Sequence, residues 1–189
     1  MTNIYIVLLR AINAGGVNSL PMKDFVQILE DMGLVSVRTY IQTGNAVFHA
    51  NEVDAIGLPE KIKGEIGTRH GFFPEVVLFA LDEMESAIAR NPYPQAASDP
   101  KSVHLTFLTS APTTPDLTTL EGIRESSERF ALKGRVFYLH APEGVARSRL
   151  FARIERSLGI VGAARNWRTA CKILEIARQV SASETTRGG

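Results

Sequence analysis

At 189 residues the chain has room for one domain, or two small interlocked ones, around a buried core. Its apolar (44%) and charged (22%) fractions are those of an ordinary soluble globular protein. The net charge of +1 conceals a split: residues 1–128 carry 9 Lys and Arg against 16 Asp and Glu, a net of −7, whereas residues 129–189 carry 12 against 4, a net of +8. A basic third of this kind either attracts phosphate or nucleic acid, or complements the acidic remainder of the same molecule. The apolar run Ile4–Leu9 ends at Arg10 and is far too short to span a bilayer, so no membrane association is expected. With no charged stretch before that run and no small-residue cleavage site after it, no secretory signal is expected. The single cysteine, Cys171, excludes an intramolecular disulfide and suits a reducing, cytoplasmic location.

In chain order, Asn3–Leu9 is an apolar, β-branched strand buried on both faces. Arg10–Leu20 is a loop containing Gly15-Gly16. Ser19 and Pro21 are placed to open a helix whose apolar residues Met22, Phe25, Ile28, Leu29 and Met32 recur at helical spacing, and Gly33 to end it. Arg38–Phe48 (RTYIQTGNAVF) is expected to be a hairpin with Gly44-Asn45 as its turn. Pro59–His70 is a second helix, weakened by Gly64 and Gly67, and Glu75–Leu81 a strand. Asp82 is expected to cap a helix over Asp82–Arg90, and the polar stretch from Asn91 through Pro100 to separate two halves. Strands are expected over Ser102–Leu108, Glu128–Leu132 and Val136–His140, and helices over Thr114–Glu125, Arg147–Leu158 and Thr169–Val180. Ser181–Gly189 is a polar tail expected to be disordered.

The first half therefore reads β-α-β-β-α-β, which folds as a four-stranded antiparallel sheet backed by two helices, the ferredoxin-like arrangement. The second half opens in the same order. The expected class is α+β with two ferredoxin-like (βαββαβ) subdomains and an extra C-terminal helix, over residues 1–95 and 96–180. In this topology the first two strands run parallel and end on the same rim. Arg10, Asn13, Gly15, Gly16 and Asn18 should then meet Gln42, Thr43 and Asn45.

A planar guanidinium beside exposed glycine amides is suited to a phosphate or carboxylate. Alternatively, Arg10 pairs with a structural carboxylate or with loop carbonyls. Gly15-Gly16 has neither the P-loop ending nor dinucleotide-binding spacing, and turn formation alone accounts for Gly44 and Asn45. Gln42 and Thr43 are uncharged hydrogen-bonders suited to a base edge, an amide or a sugar. Arg165, Asn166, Trp167 and Lys172 form a second candidate segment. Asn166 at a helix start would present amides to an anion flanked by Arg165 and Lys172, and Trp167 would either stack on a planar ligand or anchor the helix. Cys171 sits where its pKa could be lowered, but no catalytic Cys-His pair accompanies it, and a packed core thiol is the simpler reading. His104 and His140 lie on strands that would be neighbours and could face each other, yet no further ligand stands at metal spacing. No HExxH, CxxC, GxSxG or diagnostic carboxylate pair is present. No catalytic residue, metal or cofactor is expected from these patterns.

Leu8-Leu9-Arg10-Ala11-Ile12-Asn13 followed by Gly15-Gly16 and Asn18, then Thr39–Asn45 (TYIQTGN), then Ala163–Thr169 (AARNWRT) together resemble the motifs of the family called domain of unknown function 1697. The resemblance covers roughly residues 3–178 and implies two intertwined ferredoxin-like subdomains, with no established activity. Ala11 stands where the family usually has glycine, Thr43 where it has serine, and Ala163 where it has threonine. The first change questions a positive φ at residue 11.

The expected function is binding of a small anionic or polar ligand at the rim. The alternatives are nucleic-acid binding through the basic C-terminal third, and a homodimeric interaction module using a sheet edge.

Overall fold

A computed structural model describes residues 2–185 of the chain. It falls into two compact units, Met1–Ser86 with Lys172–Gly189, and Ala87–Cys171. In the first unit the strands are β1 (Thr2–Leu9), β2 (Val35–Tyr40), β3 (Asn45–Asn51) and β4 (Val76–Ala80). They lie in the order β2-β3-β1-β4 with every neighbour antiparallel. The helices are α1 (Met22–Asp31), a single turn α2 (Glu52–Ala55) and α3 (Leu58–His70). This is the ferredoxin-like order. Because β1 and β2 are both antiparallel to β3, they run parallel to each other and finish at one end of the sheet.

The core of this unit follows from the sequence periods. Tyr5, Val7 and Leu9 project from one face of β1 and pack with Phe25, Ile28 and Leu29 of α1 and Ile62 and Ile66 of α3. Removing each such side chain from water stabilises the fold by roughly 1.5–3 kcal/mol. Ile6 and Leu8, on the opposite face, are buried too, which explains the unbroken apolar run in β1. Gly33 ends α1: its φ of 83° lets its own amide reach the Glu30 carbonyl while the Leu34 amide bonds Leu29. Ser19 does not cap α1; the helix starts after Pro21, with no side-chain cap.

The second unit repeats the topology with β5 (Val103–Leu108), β6 (Arg129–Lys133), β7 (Val136–His140) and β8 (Gly162–Asn166) in the order β6-β7-β5-β8, all antiparallel. Its helices α5 (Leu117–Ile123) and α6 (Arg149–Leu158) cover one face of the sheet through Leu120, Leu150, Ile154 and Leu158. Asp116 caps α5 and Ser148 caps α6, each accepting from an amide three residues on. β8 is the closing strand that the second βαββαβ unit requires, but the sequence expectations assign no residues to it. Its residues are mostly small, and Gly162 is required because a Cβ there would stand 2.7 Å from the Phe107 carbonyl oxygen.

Two further helices cross from one unit to the other in sequence: α4 (Leu81–Ala89) and α7 (Trp167–Thr185). α4 starts at Leu81, one residue before the expected cap, and its first turn is closed by the Glu83 carboxylate accepting from the Ala80 amide. Helix α7 continues through Ser181–Thr185, where disorder was expected; the rest of that tail lies outside the described residues.

Candidate functional site

The end of β1 is held between two neighbours. The Leu9 amide donates to the Gly44 carbonyl at 2.8 Å, and the Arg10 amide to the Glu75 carbonyl at 3.0 Å. The two loops expected to converge do so directly, since the Asn13 Nδ2 donates to the Gln42 carbonyl at 2.8 Å.

Within Arg10–Leu20 the chain forms a miniature hairpin. Ala14 pairs with Val17 across Gly15 and Gly16, whose φ values of 60° and 78° make the two-residue turn in which both central residues are left-handed. Asn13 holds the hairpin to the body of the unit. Its Oδ1 accepts from the Leu20 amide at 2.7 Å, and its Nδ2 donates to the Leu20 carbonyl at 2.8 Å as well as to Gln42. Asn18 donates to the Ala11 carbonyl at 3.2 Å.

The second loop differs from expectation. β2 stops at Tyr40, which pairs with Asn45, so the turn is the four residues Ile41–Gly44 and Asn45 opens β3. Asn45 is 1% exposed and donates to the Tyr40 carbonyl at 2.9 Å and to the Thr43 hydroxyl at 2.8 Å. Gly44, at φ 74°, is pressed against β1: a Cβ there would lie 2.7 Å from the Leu9 Cβ and 2.8 Å from the Ile12 Cδ1.

The asparagines expected to contact a ligand thus spend hydrogen bonds on shaping their own loops. Arg10, Gln42, Thr43 and the Gly15-Gly16 turn remain exposed. Four non-glycine residues of the two loops occupy the left-handed region: Ala11 (φ 55°), Asn13 (52°), Asn18 (52°) and Ile41 (48°). Asparagine tolerates that region; alanine and β-branched isoleucine do so only at a cost. Ala11 keeps the positive φ that its lack of glycine brought into question. A Lys63–Glu75 ion pair of 2.7 Å stands where β4 begins, and the hydrogen bond that Lys63 donates to the Glu75 carboxylate holds the lysine pKa above its usual value. Sequence patterns gave no signal for that pair. Neither loop contains an acid, histidine or cysteine, so the rim has charge and hydrogen-bonding groups but no general base of its own.

The second candidate segment is arranged differently. Arg165 lies on β8, 9% exposed, with its Nη1 donating to the Ala164 carbonyl; burial pulls its pKa down to about 10. Asn166 caps α7 by accepting from the Thr169 amide at 2.9 Å. Trp167, half-buried, begins that helix, and Lys172 pairs with Glu175 at 2.9 Å. Arg165, Asn166 and Trp167 belong to the second unit, the eight rim residues and Lys172 to the first. The Cys171 thiol is pushed up by burial, the reverse of an activated cysteine.

His104 and His140 do not face each other. His104 pairs with Leu139 and His140 with Val103, which sends the two imidazoles to opposite faces of the sheet. His140 stacks on Tyr93, and His104 meets Phe151 edge-on with a buried Nδ1 that makes no hydrogen bond. Among the described residues no group of three His, Cys, Asp or Glu could hold a metal ion. No described helix is long and apolar enough to cross a membrane. A cleft of about 360 Å³ in the second unit is lined by Glu125, Glu128, Glu143, Arg147 and Ser148, three acids and a base that no sequence pattern had grouped.

The structure defines an α+β protein built from two ferredoxin-like units, with a stapled double-loop rim on the first. The chain belongs to the family described as Protein of unknown function (DUF1697), whose model matches residues 1–138. It is similar in structure to the conserved bacterial protein SP0830 from Streptococcus pneumoniae. The TM-score is 0.72 at 23% identity, covering 94% of this chain and 99% of that one. At that identity the likeness is one of fold. Another solved structure, "Putative Chlorite dismutase TA0507", aligns at 11% identity over 93% of this chain and 99% of its own, with a TM-score of 0.22 too low to carry an argument. The comparison with curated proteins finds no match.

Proposed function

We propose that this protein binds a small anionic or polar ligand at the rim formed by Arg10–Leu20 and Ile41–Gly44. The observation that carries the reading is the concentration of left-handed non-glycine residues, Ala11, Asn13, Asn18 and Ile41, in two loops that touch. Backbone held in sparsely populated conformations by surrounding hydrogen bonds is a common property of ligand clamps. In this reading Arg10 supplies positive charge, the glycine turn supplies peptide groups that a ligand can approach without a Cβ in the way, and Gln42 and Thr43 orient the ligand. Asn13, Asn18 and Asn45 position the loops and do not touch it. With no general base in either loop, binding and not catalysis is the activity proposed.

A thermal-shift screen of inorganic phosphate, nucleotides, sugar phosphates and carboxylates tests this. A ligand present at 100 times its Kd stabilises the folded state by about 2.7 kcal/mol. At least one class should raise the melting temperature of the wild type, and Arg10→Ala should show no such rise over its own melting temperature in buffer. No shift with any compound, or an equal shift in Arg10→Ala, would remove the reading.

A further inference from the structure

We propose that the outward face of α6 is a docking surface for the sugar-phosphate backbone of a single-stranded nucleic acid. This is independent of the rim, which lies on the other unit. Residues 87–171 carry 12 Lys and Arg against 7 Asp and Glu, a net of +5, and the remaining residues a net of −4. Part of that excess is gathered on one helix. Arg149, Arg153 and Arg156 are exposed and stand at i, i+4 and i+7 on α6, with exposed Arg147 just before its cap.

The placement runs against the rules that make a merely solvated helix stable. Such helices alternate acids and bases at i, i+4, whereas α6 puts Arg149 four residues from Arg153, a repulsive spacing. Arg147 and Arg149 sit at the positive end of the helix dipole, where acids belong. The one acid of α6, Glu155, is turned away: half-buried, it accepts from the Gly162 amide at 3.1 Å. Among the described residues only Arg149 has an ion-pair partner on this face, an exposed contact with Glu125 at 3.6 Å. Other arginines of the same unit are used structurally: Arg124 and Arg129 donate to backbone carbonyls. Arg147 shares a cleft with Glu125, Glu128 and Glu143, so acids lie near the start of the helix, but Arg153 and Arg156 have no ion-pair partner among the described residues. Local electrostatics that disfavour the helix there mark a surface completed by an external anion.

The partner follows from the side chains. The basic residues of α6 are all arginine, whose guanidinium bonds phosphate bidentately. Arg149 and Arg153 are separated by about 6 Å along the axis, a spacing suited to consecutive phosphates. A membrane surface is disfavoured because insertion needs the helix's apolar face, and Leu150, Ile154 and Leu158 are committed to the core.

Fluorescence anisotropy of a labelled 20-nucleotide RNA, titrated with full-length protein across salt concentrations, tests the proposal. Four arginines neutralising four phosphates give a log–log salt slope of about −3, a loss of roughly 50-fold between 50 and 200 mM. The triple variant R147A/R153A/R156A should flatten the slope by about 2 and fold normally, whereas K23A/K61A/K101A, with the same loss of charge, should bind like wild type. The proposal is overturned if the wild type shows no salt-sensitive binding, or if the arginine variant keeps it. It is equally overturned if the lysine variant loses as much, or if phosphatidylserine vesicles bind while RNA does not.

Discussion

Replacing Gly44 by alanine tests how tightly the two loops are locked to β1. Gly44 combines a φ of 74° with a Cβ position 2.7 Å from the Leu9 Cβ and 2.8 Å from the Ile12 Cδ1. The left-handed backbone costs an alanine about 1–2 kcal/mol. Both clashing groups are buried, Leu9 on a central strand and Ile12 in the core, so relief requires β1 or the turn to move, adding about 1–3 kcal/mol. Gly33 is the control, since its φ of 83° imposes the same backbone term while a Cβ there meets nothing within 4 Å. Gly44→Ala should therefore cost about 2–5 kcal/mol, or a fall in Tm of about 4–20 °C for a chain of this size, and Gly33→Ala about 1–2 kcal/mol. Urea unfolding of the three proteins, read by circular dichroism, gives both values. Equal losses in the two variants would refute the close packing of the turn on β1.

Asn13→Gly keeps a residue suited to φ 52° and removes three hydrogen bonds, so it should lose about 2–3 kcal/mol in the same assay. Asn18→Gly removes one exposed bond of 3.2 Å and should lose less than about 1 kcal/mol. Burial lowers the His104 pKa below its ordinary 6.5, so the folded state binds that proton less readily than the unfolded chain. Its contribution to stability is then complete above pH 6.5 and declines as the pH falls through the folded-state pKa. His104→Gln should flatten that part of the stability–pH profile, measured by urea unfolding between pH 7.5 and 5; an unchanged slope would show that the histidine plays no part.

The order of elements was legible because each core element follows its own period: an unbroken apolar run for the doubly buried β1, three- and four-residue spacing for α1, and turn residues between. β8 was not legible. Gly162-Ala163-Ala164 is small to fit closely against β5, and small residues have no strand signature of their own. The turn was read at Gly44-Asn45 because that pair resembles a turn dipeptide, while the chain turns over the four residues Ile41–Gly44, starting at an isoleucine whose positive φ no β-branched residue advertises. Convergence of the loops was readable from topology alone. Which side chains the loops consume was not, since the decisive Asn13 bond joins residues 29 apart in sequence. Arg165 was read as a cation flanking an anion because nothing local signals that it is buried.

The most direct test of the rim is an amide-resolved NMR titration with inorganic phosphate, a nucleoside monophosphate and citrate. Binding there predicts saturable shifts in the amides of residues 10–20 and 41–44, absent from Arg10→Ala. Shifts confined to other parts of the chain, or none with any of the three anions, would contradict it.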